Sequence, residues 1–254
     1  ATVNLMDPLP IDIDVLVITD YNGSVISCNG ASDAAIFANV EGGTIPYTYL
    51  WNTSETTAEI SNLPEGTYSL TVTDNKGCTE TASLGLNDQP PLVSNIFGDQ
   101  LTCNGDSNGA INLSVFGGTQ PYNYQWSNGA GTNQDPFNLS AGFYSVTVTD
   151  VNGCSLTRST EVTEPPGITA TAIGDVLLCF GDQNGSIDLS VAGGILPHTF
   201  LWSNGETTED PSGLGSGVYT VTVTDNNGCF TSTSASVTQP GLLEANAIGE
   251  VLDC

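Results

Sequence analysis

GTYSLTVTDNKGC at Gly66–Cys78, GFYSVTVTDVNGC at Gly142–Cys154 and GVYTVTVTDNNGC at Gly217–Cys229 are nearly one stretch written three times. Each reads as a strand, a tight turn and the start of the next strand. Tyr68, Leu70 and Val72 alternate with Ser and Thr, so one face is apolar and the other hydroxylated. The Asp-x-(Asn/Lys)-Gly run supplies residues that tolerate positive φ, as a tight hairpin requires. Leu63, Leu139 and Leu214 precede these stretches and complete a Leu-x-x-Gly-x-Tyr corner.

Working outward, the same plan surrounds each copy at a period of about 75 residues, so the chain reads as three small domains rather than one large one. A first strand is expected to end at Cys28, Cys103 or Cys179, followed by a loop rich in Asn, Gly and Asp. A second strand alternates: Ile36, Ala38, Val40; Ile111, Leu113, Val115; Ile187, Leu189, Val191. Gly42-Gly43, Gly117-Gly118 and Gly193-Gly194 break it, with Pro46, Pro121 or Pro197 close behind. A third strand carries Tyr47, Tyr49 and Trp51, then Tyr122, Tyr124 and Trp126, then His198, Phe200 and Trp202. A buried Trp on such a strand, and a Tyr under such a corner, mark immunoglobulin-like sandwiches. The expected fold class is therefore all-β, a tandem array of immunoglobulin-like β-sandwich repeats. Trp51, Trp126, Trp202, Tyr68, Tyr144 and Tyr219 are its expected core.

The expected boundaries are repeat 1 over 10–89, repeat 2 over 90–164 and repeat 3 over 165–239. Residues 1–9 resemble the ends of later repeats and read as the tail of an upstream one. Residues 240–254 match Ile168–Cys179 and read as the first strand of a fourth, so the window looks cut from a longer array. Short Pro-containing links, Asp88–Leu92, Glu164–Gly167 and Gln239–Gly241, join the repeats without flexible gaps. The first repeat has a longer entry, Ile11–Ser27, which includes Asp12, Asp14 and Asp20 and which the sequence does not explain.

Charge narrows the function. Lys and Arg number 2 against 28 Asp and Glu, for a net charge of −26. Such a surface repels phosphate backbones and anionic bilayers, which argues against nucleic-acid partners. No apolar run is long enough to span a membrane, so membrane insertion is not expected. Seven cysteines at 28, 78, 103, 154, 179, 229 and 254 alternate in spacing. They lack the close Cys-x-x-Cys pairs of a zinc site and read as a disulfide framework, hence an oxidising compartment.

Candidate sites are few. His198, the only histidine, stands where the sister repeats have Tyr47 and Tyr122, which favours packing over catalysis. The best-placed acids recur at hairpin turns, which favours scaffold over enzyme. Calcium is the one cofactor the loops suggest, at Asp74, Asp150 and Asp225 and at Asp106 and Asp182. Each loop offers one acid, whereas calcium takes six to eight oxygens, so an Asx turn is the competing assignment. The Asn-x-Ser/Thr sites at Asn22, Asn52, Asn112, Asn138 and Asn184 are incidental on this reading. The aromatic stripes could serve as a sugar platform only if exposed, and their register places them inward.

The motif set Gly-Gly-x-x-Pro-Tyr-x-Tyr-x-Trp-Ser-Asn-Gly and Leu-x-x-Gly-x-Tyr-x-Val-x-Val-Thr-Asp-x-Asn-Gly-Cys resembles the SprB-type repeat. Those repeats occur in tandem in very large surface adhesins of gliding bacteria that use type IX secretion. Their fold is similar to the polycystic-kidney-disease (PKD) immunoglobulin-like sandwich. The resemblance implies an extracellular, surface-attached, elongated protein without catalytic residues. Its partners would be neighbouring repeats, with self-association and surface glycans as further candidates. The three Trp, the corner Tyr residues and paired cysteines match the family pattern, while His198 and the long first entry depart from it.

The expected role is a structural segment of an adhesin or filament, with a ligand-binding module built on inter-strand loops as the alternative. Disulfide register has two answers. Bonds within repeats would be Cys28–Cys78, Cys103–Cys154 and Cys179–Cys229, leaving Cys254 to a partner outside the chain. Bonds between neighbours would be Cys28–Cys154 and Cys103–Cys229. An even strand count puts the two cysteine turns at one end of the sandwich, and seven strands put them at opposite ends. A small domain benefits from its own staple, so bonds within repeats are favoured.

Overall fold

The computed structural model describes residues 9–246 and 249. Among them there are eighteen strands and no helix. The first six are β1 (Asp12–Val17), β2 (Ala34–Glu41), β3 (Thr48–Trp51), β4 (Glu59–Leu63), β5 (Gly66–Thr73) and β6 (Thr79–Leu86). The set returns as β7 (Val93–Gly98), β8 (Gly109–Phe116), β9 (Asn123–Trp126), β10 (Phe137–Leu139), β11 (Gly142–Thr149) and β12 (Ser155–Val162). It returns again as β13 (Thr169–Gly174), β14 (Gly185–Ala192), β15 (Thr199–Trp202), β16 (Ser212–Leu214), β17 (Gly217–Thr224) and β18 (Phe230–Val237).

Each set makes two three-stranded sheets. The orders are β1-β2-β4 with β3-β5-β6, β10-β8-β7 with β12-β11-β9, and β13-β14-β16 with β15-β17-β18. This is the immunoglobulin-like division, with first, second and fifth strands on one sheet and third, sixth and seventh on the other. The strand between third and fifth is missing. The chain forms two compact units. The first takes in residues up to Phe97, Ile111–Pro136 and Phe143–Thr160. The second takes in Gly98–Ala110, Phe137–Gly142 and the chain from Glu161 on.

The missing strand does not reverse the turns. β3 ends at Trp51 opposite Leu70, midway along β5. β4 begins at Glu59 opposite Phe37, midway along β2, and ends at Leu63 opposite Ala34. The chain thus crosses between sheets at half height. The Ala38 amide donates to Ala58 at 2.9 Å, and the Trp51 indole donates to the Thr57 carbonyl at 2.9 Å, holding the crossing in place. Six strands therefore place their turns as seven would. The β1–β2 connection and the β5–β6 hairpin lie at opposite ends.

The strands exist for the reason the alternation indicates. Tyr68, Leu70 and Val72 of β5 face inward while Ser69 and Thr67 face out. In the first unit Ile36, Trp51, Leu70 and Val72 anchor a core, and in the second Leu177, Ile187, Trp202 and Val221 anchor another. The Gly-Gly turns cannot carry side chains. Gly42 and Gly117 have φ of 75° and 72°, and a Cβ would lie 2.0 Å from the carbonyl oxygen of Pro10 or Pro91. The following amides bind the linker: Gly43 donates to Leu9 at 2.8 Å and Gly118 to Pro90 at 3.0 Å. The peptide bonds before Pro46, Pro121 and Pro197 are cis.

The first strands stop earlier than expected. β7 ends at Gly98 and β13 at Gly174, and Cys103 and Cys179 follow in loops. In the second unit the chain then crosses to the other sheet, where Leu101 donates to Thr163 at 2.8 Å and Leu177 to Thr238 at 2.8 Å. That step turns Leu101 and Leu177 into the core. Most of the expected upstream tail (1–9), and the far end of the expected fourth-repeat strand with Cys254, lie outside the described residues. Residues 240–246 carry no strand.

Candidate functional site

The hairpin acids are braces. Asp74 is buried; its Oδ1 accepts the amides of Lys76 (2.8 Å) and Cys78 (2.9 Å), and its Oδ2 that of Thr44 (2.9 Å). Asp150 repeats this with Asn152 (3.0 Å), Cys154 (2.9 Å) and Thr119 (2.8 Å). Asp225 does so with Asn227, Cys229 (both 2.9 Å) and Ile195 (3.0 Å). One carboxylate thus ties each late hairpin to the Gly-Gly turn beside it. Burial pushes the Asp74 pKa up, but the amides of Cys78, Thr44, Lys76 and Gly77 outweigh it and hold the group below its ordinary value. Asp225 is also held low, first by the Ile195 amide against burial, then by Cys229 and Asn227 and the nearby His198.

The Asx-turn assignment accounts for the geometry of these loops. Both oxygens of each of Asp74, Asp150 and Asp225 accept backbone N–H groups. Asp106 accepts the Cys103 amide at 3.2 Å and Asp182 the Cys179 amide at 3.2 Å, so these too close their own loops. Among the described residues no three His, Cys, Asp or Glu side chains converge.

The cysteines pair between strand sets. Cys28 bonds Cys154 and Cys103 bonds Cys229, each with Cα atoms 5.6 Å apart and a separation of 126 residues. This replaces the expected pairs Cys28–Cys78, Cys103–Cys154 and Cys179–Cys229. The physical reason is the half-height crossing: an even strand count was expected to bring both cysteine turns to one end, and it does not. Cys78 and Cys179 are exposed free thiols.

The first junction lies in the first unit. Gln89, 8% exposed, accepts the Thr119 hydroxyl at 2.8 Å and donates to the Ser27 carbonyl, and its amide also lies 3.6 Å from Cys154 Sγ. Asn152 donates to the Tyr21 carbonyl at 3.0 Å and accepts from Asn22 at 2.6 Å. Tyr21 and Asn22 belong to the long first entry. Tyr21 and Ser24 exchange amide bonds of 2.8 and 3.1 Å around Asn22 and Gly23, both at positive φ, so the insertion is a tight turn laid against the neighbouring hairpin. Asn29 donates to the Gln89 carbonyl at 2.9 Å and Gly30 to Asp88 at 2.6 Å, fixing the cysteine loop to the link.

The second junction lies in the second unit and keeps only part of this. Asn104 donates to the Pro165 carbonyl at 3.2 Å and Gly105 to Glu164 at 2.8 Å. Asn227 donates to the Thr102 carbonyl at 3.2 Å, in an exposed contact. Pro165 stands in the place of Gln89, and no inserted turn accompanies it. The sequence reading passed over Gln89 and Asn152. The signal was present in the Gln89/Pro165 difference and in the long entry.

The aromatics are structural. Trp51, Trp126 and Trp202 are 2%, 7% and 2% exposed, too enclosed for a sugar platform. Their indoles donate to Thr57, Asn133 and Thr208 at 2.8–2.9 Å. Tyr68 and Tyr144 are buried, and Tyr68 donates to Pro64 at 2.9 Å in the corner. Tyr219 is only half-buried, although it donates to Gly215 at 3.1 Å. Gly215 replaces Pro64, so less side chain covers that ring. His198 donates from Nε2 to the Gly193 carbonyl at 3.0 Å, as Tyr122 does to Gly117.

Fold and junctions define the class: tandem immunoglobulin-like β-sandwich repeats with disulfides between neighbours. The SprB repeat family matches at residues 26–56, 99–131 and 177–207, each match running from the first cysteine of a repeat past its Trp. Three stretches of the chain, one in each repeat, are thus similar to the SprB repeat. No curated protein matches it in sequence. Among solved structures it is similar to an I-band fragment of titin, at 14% identity over 93% of this chain and 100% of that one, with a TM-score of 0.42. It is also similar to a 1.5-MDa bacterial ice-binding adhesin, at 14% identity over 91% and 98%, with a TM-score of 0.44.

Proposed function

We propose that the chain is a load-bearing segment of an extracellular surface adhesin, an acidic stalk whose repeats 10–89, 90–164 and 165–239 are each stapled to the next. The observation that carries this is the pair Cys28–Cys154 and Cys103–Cys229, each joining one strand set to the following one. A bond within a repeat protects only that repeat. A bond between repeats passes tension across a domain even when the domain opens. The disulfides also support an oxidising, extracellular setting. A net charge of −26 opposes collapse and aggregation, which suits a stalk. Neighbouring repeats are the partners this role requires. The buried indoles, the bracing aspartates and the turn-bound His198 all support scaffold over enzyme or sugar platform.

Single-molecule pulling on the chain tests the proposal. The two bonds interleave, so in the oxidised chain the shortest covalent path from Cys28 to Cys229 runs only between Cys103 and Cys154, and together they hide about 150 residues. Reduction should therefore lengthen the fully unfolded chain by roughly 520 Å, at about 3.5 Å per residue. An unchanged length on reduction would remove the load-bearing role. Binding on a glycan array, with no mechanical effect of reduction, would favour a ligand-binding module.

A further inference from the structure

The two disulfides have unlike surroundings, although all four of their cysteines are half-buried. Beside Cys28–Cys154 the space is filled by the Gln89 side chain, and Asn152 is covered by the Tyr21–Asn22 turn. Beside Cys103–Cys229, where Pro165 replaces Gln89, there is instead an open groove of about 350 Å³. Both sulfur-bearing residues line it, with Pro165, Ile168 and Phe230 as apolar wall and Asp225 at the edge. Asp106 also lines it.

We infer that Cys103–Cys229 is a thiol-exchange site, selectively open to small thiols that are uncharged or cationic. An incoming thiolate attacks one sulfur in the groove. The S–S bond breaks, a mixed disulfide forms, and the other cysteine leaves as a thiolate that water protonates. A second thiol attacks the mixed disulfide, releasing the small-molecule disulfide and the second cysteine thiolate. Two electrons pass from the two small thiols to the protein bond. The carboxylates of Asp106 and Asp225 in the groove's lining repel a thiol that carries a carboxylate and admit one that carries an amine. The outcome is a stalk that releases one staple while keeping the other.

The test uses the whole chain, with Cys78, Cys179 and Cys254 first alkylated. Cysteamine or thioglycolate is added at matched thiolate concentration, the reaction is quenched with isotopically heavy alkylating agent, and each cysteine is followed by mass spectrometry. Cys103 and Cys229 should be labelled together at least about tenfold sooner than Cys28 and Cys154. Cysteamine should outpace thioglycolate at low salt, and the gap should narrow as salt rises. Gln89→Ala should speed labelling of Cys28 and Cys154 severalfold, and Pro165→Gln should slow that of Cys103 and Cys229. Equal rates for the two bonds in the unaltered chain overturn the proposal. Thioglycolate as fast as cysteamine at low salt overturns the stated thiol class. A Gln89→Ala chain with unchanged Cys28–Cys154 labelling overturns the plugging role of Gln89.

Discussion

The junctions at Cys28–Cys154 and Cys103–Cys229 are the same bond in two settings. Both span 126 residues and bring Cα atoms to 5.6 Å. Both hold their cysteine loop with an Asn amide and a link carboxylate, Asn29 with Asp88 and Asn104 with Glu164. They differ at Gln89 against Pro165, at Ser155 against Phe230 beside the second cysteine, and in one inserted turn around Asn22 and Gly23. The difference shows that repetition sets the covalent skeleton, while single substitutions set how far solvent and reagents reach it.

The strongest way to probe this comparison is to remove each bond. Replacing both cysteines of either pair with Ser should cost about 5 kcal/mol in the chain-entropy account. Equal loops predict nearly equal losses in urea denaturation. A larger loss at Cys28–Cys154 would show that Gln89 and Asn152 depend on the bond as well as cover it. Next comes Trp126→Ala, expected to cost about 3–5 kcal/mol in the middle repeat. That repeat supplies Cys154 to one junction and Cys103 to the other. Reduction of both bonds should quicken with their order kept. Loss of the order would place the difference in the repeat's stability rather than in the grooves. Gln89→Ala should cost about 1–2 kcal/mol, from the hydrogen bonds it loses, and should act on the first junction alone.

The smallest effect at neutral pH is that of the braces. Asp74 in the first unit and Asp225 in the second are both held below the ordinary carboxylate value. Their stabilisation is complete above about pH 3.9, the unfolded value, and is lost as pH falls through the lower folded value. Opening of the Cys78 and Cys229 hairpins, read as amide exchange divided by its intrinsic rate at each pH, should therefore rise together in acid and stay flat above about pH 5. A rise at one hairpin only would separate the two units.

Much of the fold was legible because each strand states its face. Tyr68, Leu70 and Val72 alternate with hydroxyls, and the Asp-x-x-Gly turns and Gly-Gly pairs need the backbone they adopt. The burial of Trp51 followed from register alone. The disulfide register was not legible, since it depends on where the chain crosses between sheets. Nothing local in Asn52–Ala58 announces that a six-stranded sandwich will place its turns like a seven-stranded one. The bracing role of Asp74 was hidden for a similar reason. Its partner Thr44 lies in a distant turn, so the sequence showed an acid in a loop and left calcium open. The cis bonds at Pro46, Pro121 and Pro197 also depend on tertiary context. Gln89 looked like ordinary link sequence until its neighbours across the junction were in place.

Non-reducing peptide mapping tests the central claim most directly. With only Lys76 and Arg158 for trypsin, an acid-specific protease must cut the alkylated chain. The account predicts one linked peptide joining Cys28 to Cys154 and another joining Cys103 to Cys229, with Cys78 and Cys179 carrying the alkyl label. Recovery of Cys28 linked to Cys78, or Cys103 linked to Cys154, would contradict it.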